Sequence, residues 1–307
     1  MARTTYAHPV DVLRKFNPEV VADGLLSSNE YIGSSDDEEF VRARIEGVED
    51  QFEDLTRNAF RERRVGNPGE PQTWEYHEAD FRRYQHGVKI WLENRSVLPL
   101  EPTAGDTLEI RTGRDRWKDI TDQEGDLYEA DYREGTIRIY GVYRYAGSWR
   151  NAALDRNVRI TYRHGALGGS RNRGGETSLD GQLASGAPSI TVSDASRLPN
   201  RGLLLIGGDE YVQVSGKDLD TESLTGVTRG LRGTDDQQHA DGAQVHYCPV
   251  SIREAIAART AVELLEYDDW VDSLVEASEG FAKPQKVSDW NGEWEQALNK
   301  HSEARMF

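Results

Sequence analysis

Residues 37–60, DEEFVRARIEGVEDQFEDLTRNAF, carry an apolar residue at every third or fourth position. Steps of four, three, four and three residues place these side chains on one face of an α-helix, which then packs inward. Ser35, Asp36 and Asp37 supply N-cap candidates and negative charge in the first turn, where the helix dipole favours it. The stretch therefore predicts an amphipathic helix. Its apolar stripe consists of Val41, Ile45, Val48, Phe52 and Leu55.

Helical patterns return near the other end of the chain. Pro249 precedes residues 251–277, which are rich in alanine and apolar side chains and predict a closely packed helix. A last helix is predicted from Ser288, as its N-cap, to about residue 304, with Trp290 and Trp294 one turn apart on the same face. The sequence thus predicts an α+β fold, in which the N- and C-terminal helices form a helical bundle and β-rich segments are inserted between them.

The middle of the chain favours β-structure. Alternating, β-branched and aromatic runs in residues 71–165 predict four strands, GVKIWLE (87–93), TLEIRT (107–112), TIRIYGVY (136–143) and VRITYRHG (158–165). After a glycine-rich linker, residues 176–247 predict a second β unit with tight turns. The predicted domains are a helical core with a C-terminal arm (1–70 and 248–307), a β-rich segment (71–165) and an inserted small β domain (176–247).

The charge balance excludes several classes of function. The 307 residues include 54 Asp and Glu against 37 Lys and Arg, for a net charge of −17. This acidity argues against a protein that coats DNA or RNA, because such binding depends on basic patches. The sequence also predicts no membrane span and no secretory signal. The single cysteine, Cys248, excludes an internal disulfide and a thiolate metal cluster.

The kind of charged residue suggests the solvent in which the protein works. The basic residues are 30 Arg and only 7 Lys. Short Asp and Glu side chains in place of Lys remove apolar stem from the surface, and molar salt screens the repulsion between carboxylates. We therefore predict a protein from a halophilic setting. An ordinary acidic cytosolic protein is the alternative.

No motif for nucleotide binding, zinc peptidase or serine hydrolase chemistry occurs, so the sequence predicts a non-enzyme without metal or cofactor. The closest group of metal-ligand types, Asp235, Asp236, His239 and Asp241, fails the EF-hand spacing, and a solvated turn is favoured over a cation site. Aromatic residues are dense in 128–149 and could stack on sugars or bases, although packing in the core is favoured.

The order of these elements resembles the head–tail connector (adaptor) proteins of tailed bacteriophages and archaeal tailed viruses. The matching segments are the helix ending at residues 55–60, the Leu-Pro step at 97–100, the strand 158–165 and the helix that follows Pro249. Residues 176–247 depart from that pattern and resemble a small β module of phage structural proteins. This second resemblance rests on Gly202, Ile206-Gly207, Glu210-Tyr211, 224–227, Arg229-Gly230, Gly233-Thr234, His239 and 242–245.

The resemblance implies a structural virion protein. About twelve copies would form a homo-oligomeric ring between the portal protein and the tail or next neck protein, and genomic DNA would pass through its channel without sequence-specific binding. The protein would lie in the virion neck, and in the host cytoplasm during assembly, without contact with a membrane. Implied contact residues for portal docking or subunit packing are Trp290, Trp294, Met306, Phe307, Val41, Ile45 and Phe52.

The 176–247 module also contains two oppositely charged residues in apolar surroundings. Glu210 and Arg229 each lie among apolar residues of the 176–247 module, and a charged residue in such a place needs a partner, so we predict that they pair. Two alternatives to the adaptor function stay open. One is another neck, tail-completion or baseplate component, and the other is a carbohydrate- or receptor-binding β protein that uses the aromatic residues of 128–149.

Overall fold

A computed structural model describes residues 5–16, 35–79, 87–113, 115–140, 156–168, 170, 172–265 and 283–302 of the chain. The chain divides into two units. Unit 1 is discontinuous and comprises Met1–Thr56 and Leu167–Phe307, whereas unit 2 is the single run Arg57–Ala166. Each unit contains its own cluster of buried apolar side chains.

The fold is mostly β. The described residues form 16 strands in four antiparallel sheets and four α-helices. The predicted fold class, an α+β fold built on a helical bundle, was therefore wrong. The physical reason lies in the length of the elements. Many strands have only three to five residues, too few to show a clear period, whereas a 22-residue amphipathic helix gives a strong signal in sequence.

The helix predicted from residues 37–60 is confirmed, with shifted ends. Val41, Ile45 and Phe52 are fully buried, but Leu55, at the end of the predicted stripe, is 55% exposed. The last helix begins five residues before Ser288, which is therefore not its N-cap. In the described part of the chain, no helix is both long and apolar enough to cross a membrane. The four helices are α1 (Pro9–Phe16), α2 (Ser35–Thr56), α3 (Val250–Leu264) and α4 (Lys283–His301).

Unit 2 contains one five-stranded and one three-stranded sheet. In the larger sheet the order is β1-β8-β4-β5, with β2 also pairing with β8, and the smaller sheet has the order β3-β7-β6. Alternate residues of β8 face the core, as the buried Val158, Ile160 and Tyr162 show. The strands are β1 (Arg63–Val65), β2 (Glu75–His77), β3 (Val88–Trp91), β4 (Thr107–Arg111), β5 (Trp117–Asp119), β6 (Tyr128–Asp131), β7 (Thr136–Ile139) and β8 (Val158–His164).

The β part of unit 1 contains a five-stranded sheet of order β15-β12-β11-β16-β9 and a three-stranded sheet of order β10-β14-β13. The tight hairpin between β11 and β12 depends on Gly207 and Gly208, whose φ angles of 64° and 86° favour glycine. This hairpin places Glu210 opposite Ile206. The strands are β9 (Gly175–Ser178), β10 (Ile190–Thr191), β11 (Gly202–Ile206), β12 (Glu210–Val214), β13 (Gly216–Asp218), β14 (Ser223–Thr225), β15 (Thr228–Leu231) and β16 (Gln244–Tyr247).

Helices from both ends of the sequence pack together inside unit 1. The ring of Phe16 on α1 meets that of Trp290 on α4 edge-on, with 5.5 Å between centroids. Phe52 on α2 meets Trp294 on α4 in the same way at 5.3 Å. Edge-to-face aromatic pairs of this kind add to the stabilisation that comes from burial alone. Helices from the two ends of the chain therefore pack on each other within unit 1. In sequence, unit 2 lies between α2 and α3.

The two units differ strongly in charge. Unit 1 contains 18 Lys and Arg against 36 Asp and Glu, whereas unit 2 contains 19 against 18. Their net charges are therefore −18 and +1, which together give the −17 of the whole chain. The acidity of the protein is thus a property of unit 1. Unit 2 is the only unit without a net negative charge.

Two buried histidines make stability depend on pH. Burial, with the nearby charge of Arg63, lowers the pKa of His164 to about 4. Burial, with the charge of Lys300, lowers the pKa of His301 to about 4. Both rings are neutral in the folded protein at pH 5, whereas in the unfolded chain a histidine binds a proton below about 6.5. Their contribution is therefore fully present above that pH and is lost as the pH falls towards 4.

We expect the free energy of unfolding to fall, between pH 7.5 and pH 5.0, by on the order of 1–2 kcal/mol for each histidine. Urea unfolding at constant salt measures this change. The control is the double variant His164→Gln/His301→Gln, in which the dependence over the same interval should shrink. A midpoint near 6.5 for either imidazole in an NMR titration would contradict the prediction.

Candidate interaction site

Arginine and aromatic side chains alternate across the outward side of the five-stranded sheet of unit 2. The strand register places Tyr76 opposite Arg159 and Arg111 opposite Trp117. The other side of the same strands carries the buried residues of the core. We call this surface the Arg–Trp face, and it consists of Trp74, Tyr76, Arg111, Trp117, Arg156 and Arg159.

The guanidinium group of Arg159 lies between two indole rings. It is 4.2 Å from the centroid of Trp117 and 5.2 Å from that of Trp74. Glu109 on β4 holds it there, with 2.6 Å between Nε and Oε2. Cation–π contacts and an ion pair together fix this arginine in one orientation. The guanidinium group at the centre of the face is therefore held by contacts within unit 2 itself.

The rim of the face is more open to solvent. Tyr76, Arg111 and Trp117 are half-buried, and Arg156 is exposed. The guanidinium group of Arg156 lies 5.7 Å from the Tyr76 ring, and that of Arg111 lies 5.9 Å from the Trp117 ring. Tryptophan, tyrosine and arginine are the residue types that contribute most to protein–protein binding energy. The composition of the face is typical of a protein–protein contact.

The residues predicted for portal docking or subunit packing lie elsewhere. Trp290 and Trp294 are 3% and 7% exposed, and the predicted helix-stripe residues among them are fully buried. All five described side chains pack inside the single chain, so their role in a contact between chains stays a prediction. Met306 and Phe307 lie outside the described residues. The predicted contact residues with described side chains are Val41, Ile45, Phe52, Trp290 and Trp294.

The structure brings Glu210 and Arg229 together in a bidentate pair. Arg229 donates from Nε to Oε1 of Glu210 at 2.8 Å, and from its terminal nitrogen to Oε2 at 2.6 Å. The carboxylate also contacts the ring of His239 and accepts hydrogen bonds from the backbone N–H groups of Gly230 and Gln237. Although burial raises the pKa of Glu210, the hydrogen bonds from Arg229 and His239 lower it to about 2. The carboxylate is thus charged and fully used within the fold.

The possible metal ligands around residue 239 also serve the fold. His239 bonds Glu210, Asp236 lies 3.2 Å from Arg229, and Asp241 accepts a hydrogen bond from the N–H of Gly181. In the part of the chain that the structure describes, no cluster of His, Cys, Asp and Glu could hold a metal ion. These side chains close turns of the module.

A second buried polar network connects the helices of unit 1 to its β sheet. Asp11 on α1 has no exposed side-chain surface and accepts a hydrogen bond from the hydroxyl of Tyr211 on β12. Its other oxygen lies 2.9 Å from Nε of Arg232, which also reaches Glu254 on α3 at 3.1 Å. Burial and the charge of Asp11 raise the pKa of Tyr211. The 176–247 module is therefore fastened to the helices by charged groups.

The aromatic-rich stretch 128–149 does not form a platform in its described part. Tyr128 is fully buried in the core of unit 2. The hydroxyls of Tyr132 and Tyr140 donate hydrogen bonds to Glu124 and Glu129. Residues 141–149 lie outside the described residues.

Sequence reasoning missed the Arg–Trp face and the Asp11 network. Arg159 stands between Val158 and Ile160, and this alternation shows that its side chain leaves the core. Its neighbours come from strands distant in sequence, and a register cannot be read from one chain alone. Asp11 gave no signal, because it lies in a helix of only eight residues.

Comparisons of the chain with family models, with characterised proteins and with solved structures found no match. The resemblance to head–tail connectors therefore rests on the segments of this sequence given above.

Proposed function

We propose that this protein is a structural virion protein, a head–tail adaptor that forms a ring between the portal protein and the tail or next neck protein of a tailed virus. The observation that carries the proposal is the arrangement of the chain. Helices from its two ends pack on each other through Phe16 and Trp290, and through Phe52 and Trp294, while both β regions lie between them in sequence. The resemblance to connectors rests on this same order, in which helices at both ends of the chain flank the β regions.

The charge distribution supports a channel through which DNA slides. Unit 1 carries twice as many acidic as basic residues, 36 against 18. Binding of a nucleic acid depends on Lys and Arg side chains that replace its counterions. A channel lined by acidic residues of unit 1 would therefore bind DNA phosphates only weakly. In molar salt the Debye length is about 3 Å, which limits the repulsion between neighbouring acidic subunits. The proposal therefore includes a halophilic host and passage of DNA without sequence-specific binding.

The buried networks support a scaffold that keeps its shape. Asp11 and Glu210 each have fully buried carboxylates held by arginine. Breaking such a pair leaves an uncompensated charge in the interior, which is strongly unfavourable. A protein that bridges two large assemblies benefits from units that do not deform. The twelvefold copy number and the contact with the portal are parts of the same proposal.

Electron microscopy of the purified full chain in molar salt, alone and mixed with the portal protein encoded by the same virus, tests the proposal. We expect rings with a central channel, either alone or on the portal. Cryo-electron microscopy of intact particles should then place the ring at the neck. A chain that stays monomeric, ignores the portal and binds glycans would overturn the proposal. Its location in the baseplate would favour the alternative of another tail component.

A further inference from the structure

Like charges disfavour some contacts between identical acidic chains. Even with a Debye length of about 3 Å, carboxylates that meet directly where unit 1 of one copy touches unit 1 of another repel each other, and each unit 1 has a net charge of −18. Unit 2, with 19 basic and 18 acidic residues, meets no such repulsion. A contact between unit 2 of one copy and unit 1 of the next is the favourable combination.

The Arg–Trp face is the part of unit 2 best suited to such a contact. Its ordered core around Arg159 and its open rim, with Arg111 and Arg156, offer aromatic area together with guanidinium groups. Arginine is weakly hydrated for a cation and pairs with carboxylates in bidentate geometry. Such a surface favours a partner with exposed carboxylates on a flat surface without bulky side chains.

Helix α2 of unit 1 presents that surface. Its outward side carries the exposed carboxylates of Glu39, Asp50 and Asp54. Between them lie the exposed small residues Ala43 and Gly47, and a Cβ added at Gly47 would meet no atom within 4 Å. The opposite side of the helix is the buried apolar stripe. The outward side of α2 therefore combines exposed carboxylates with small side chains that leave room for a partner.

The dimensions of the two surfaces also match. Four adjacent strands, β2, β8, β4 and β5, span about 14 Å at the usual spacing. An α-helix with its side chains is about 10–12 Å wide. One helix can thus lie across the Arg–Trp face.

We propose that the Arg–Trp face of one copy docks on the acidic side of α2 of a second copy of this chain. The inference rests on the proposed ring-forming function and names the subunit contact of that ring. Two different patches meet in it, so the contact is head-to-tail, and repeated contacts of this kind close into a ring when the rotation between copies permits.

Charge reversal on the full chain tests the contact. One variant carries Arg111→Glu and Arg156→Glu, and a second carries Asp50→Arg and Asp54→Arg. Each places like charges opposite each other and should weaken association at least about tenfold. The chain with all four substitutions restores opposite charges and should regain assembly. Sedimentation velocity, with and without the portal protein, measures each variant.

Two single reversals outside both surfaces show whether a change of net charge by itself weakens association, and each changes the net charge by half as much as a double reversal does. Arg138→Glu changes an exposed arginine on the smaller sheet of unit 2, and Asp220→Arg changes an exposed acid in unit 1. Both should leave association unchanged. Urea unfolding of every variant separates lost assembly from lost folding.

The outcomes distinguish this contact from the proposed function. If both double reversals assemble as the wild type does, the contact is wrong and the adaptor function stands. If the folded four-substitution chain fails to assemble, the pairing of these two surfaces is wrong. If the wild type neither associates nor binds the portal, the adaptor function and the contact are both overturned.

Discussion

Replacing Glu210 by glutamine is expected to lower the free energy of unfolding by about 3–5 kcal/mol, because it removes one partner of a buried ion pair. The side chains of Glu210 and Arg229 are 0% and 5% exposed. Without the carboxylate, the guanidinium group keeps its buried position but loses its bidentate partner, and the more exposed carboxylate of Asp236, 3.2 Å away, stays as its counter-charge. His239 and the N–H of Gly230 lose a charged acceptor at the same time. Chemical denaturation in constant salt measures the loss.

The neighbouring residue provides the matched control. Asp209 also pairs with an arginine, Arg42, at 2.8 Å, but its side chain is 55% exposed. Asp209→Asn should therefore cost only about 0–1 kcal/mol. Equal losses for the Glu210 and Asp209 variants would show that burial does not strengthen the Glu210 pair. Below pH 4.5 the wild type should weaken as well, since the unfolded carboxyl binds protons there while the folded one, with its pKa lowered to about 2, does not.

Replacing Trp294 by alanine is expected to cause the second large loss of stability. Its indole is 7% exposed and packs edge-on against Phe52, which is fully buried. Removing a buried aromatic side chain leaves a cavity and costs about 3–5 kcal/mol. We therefore expect Trp294→Ala to destabilise the isolated chain by that amount, measured by urea unfolding.

Trp91→Ala is the control for this prediction. Trp91 is 52% exposed, and Nζ of Lys89 lies over its ring, 4.1 Å from the centroid. Its truncation should cost under about 1 kcal/mol. If Trp294→Ala leaves stability unchanged but abolishes binding to the portal, the tryptophan is an interface anchor, and the helix packing described above is incorrect.

The helical part of the fold was the most accessible from sequence. The stripe of α2 names four residues that are buried, because a helix repeats its inward face within a few residues of chain. Leu55 broke the pattern since it lies one residue before the end of the helix and of the first segment of unit 1. The spacing of apolar residues shows which side of a helix faces inward. It does not show how far along the helix other elements pack against that side.

The strands were found singly but not as sheets. The predicted strands at 87–93, 107–112 and 158–165 correspond to β3, β4 and β8, and the start of the one at 136–143 corresponds to β7, while residues 141–143 lie outside the described residues. Three-residue strands such as β1, β2 and β5 gave no pattern, although they complete the five-stranded sheet. These short strands are stabilised by pairing with strands that are distant in sequence. For this reason the sequence patterns emphasise the helices, whereas the sheets make up most of the fold.

The candidate site shows the same division. The Glu210–Arg229 pair was foreseen, because charged residues in an apolar context need a partner close by. His239, the third member, was assigned to a solvated turn, since nothing in sequence shows that its ring faces Glu210. The Arg–Trp face depends on three different strand pairings, and each of them is set by the register of the folded sheet.

The division of the chain also determines the order in which it can fold during synthesis. Unit 2 is one continuous run, so the ribosome releases all of it before β9 exists. Helices α1 and α2 are made first, yet their apolar sides stay uncovered until α3 and α4 emerge. Late closure of this kind exposes aggregation-prone surface in the nascent chain. The exposed carboxylates of α2, Glu39, Asp50 and Asp54, give that segment like charge before its apolar side is covered, and like charge opposes association between unfinished chains.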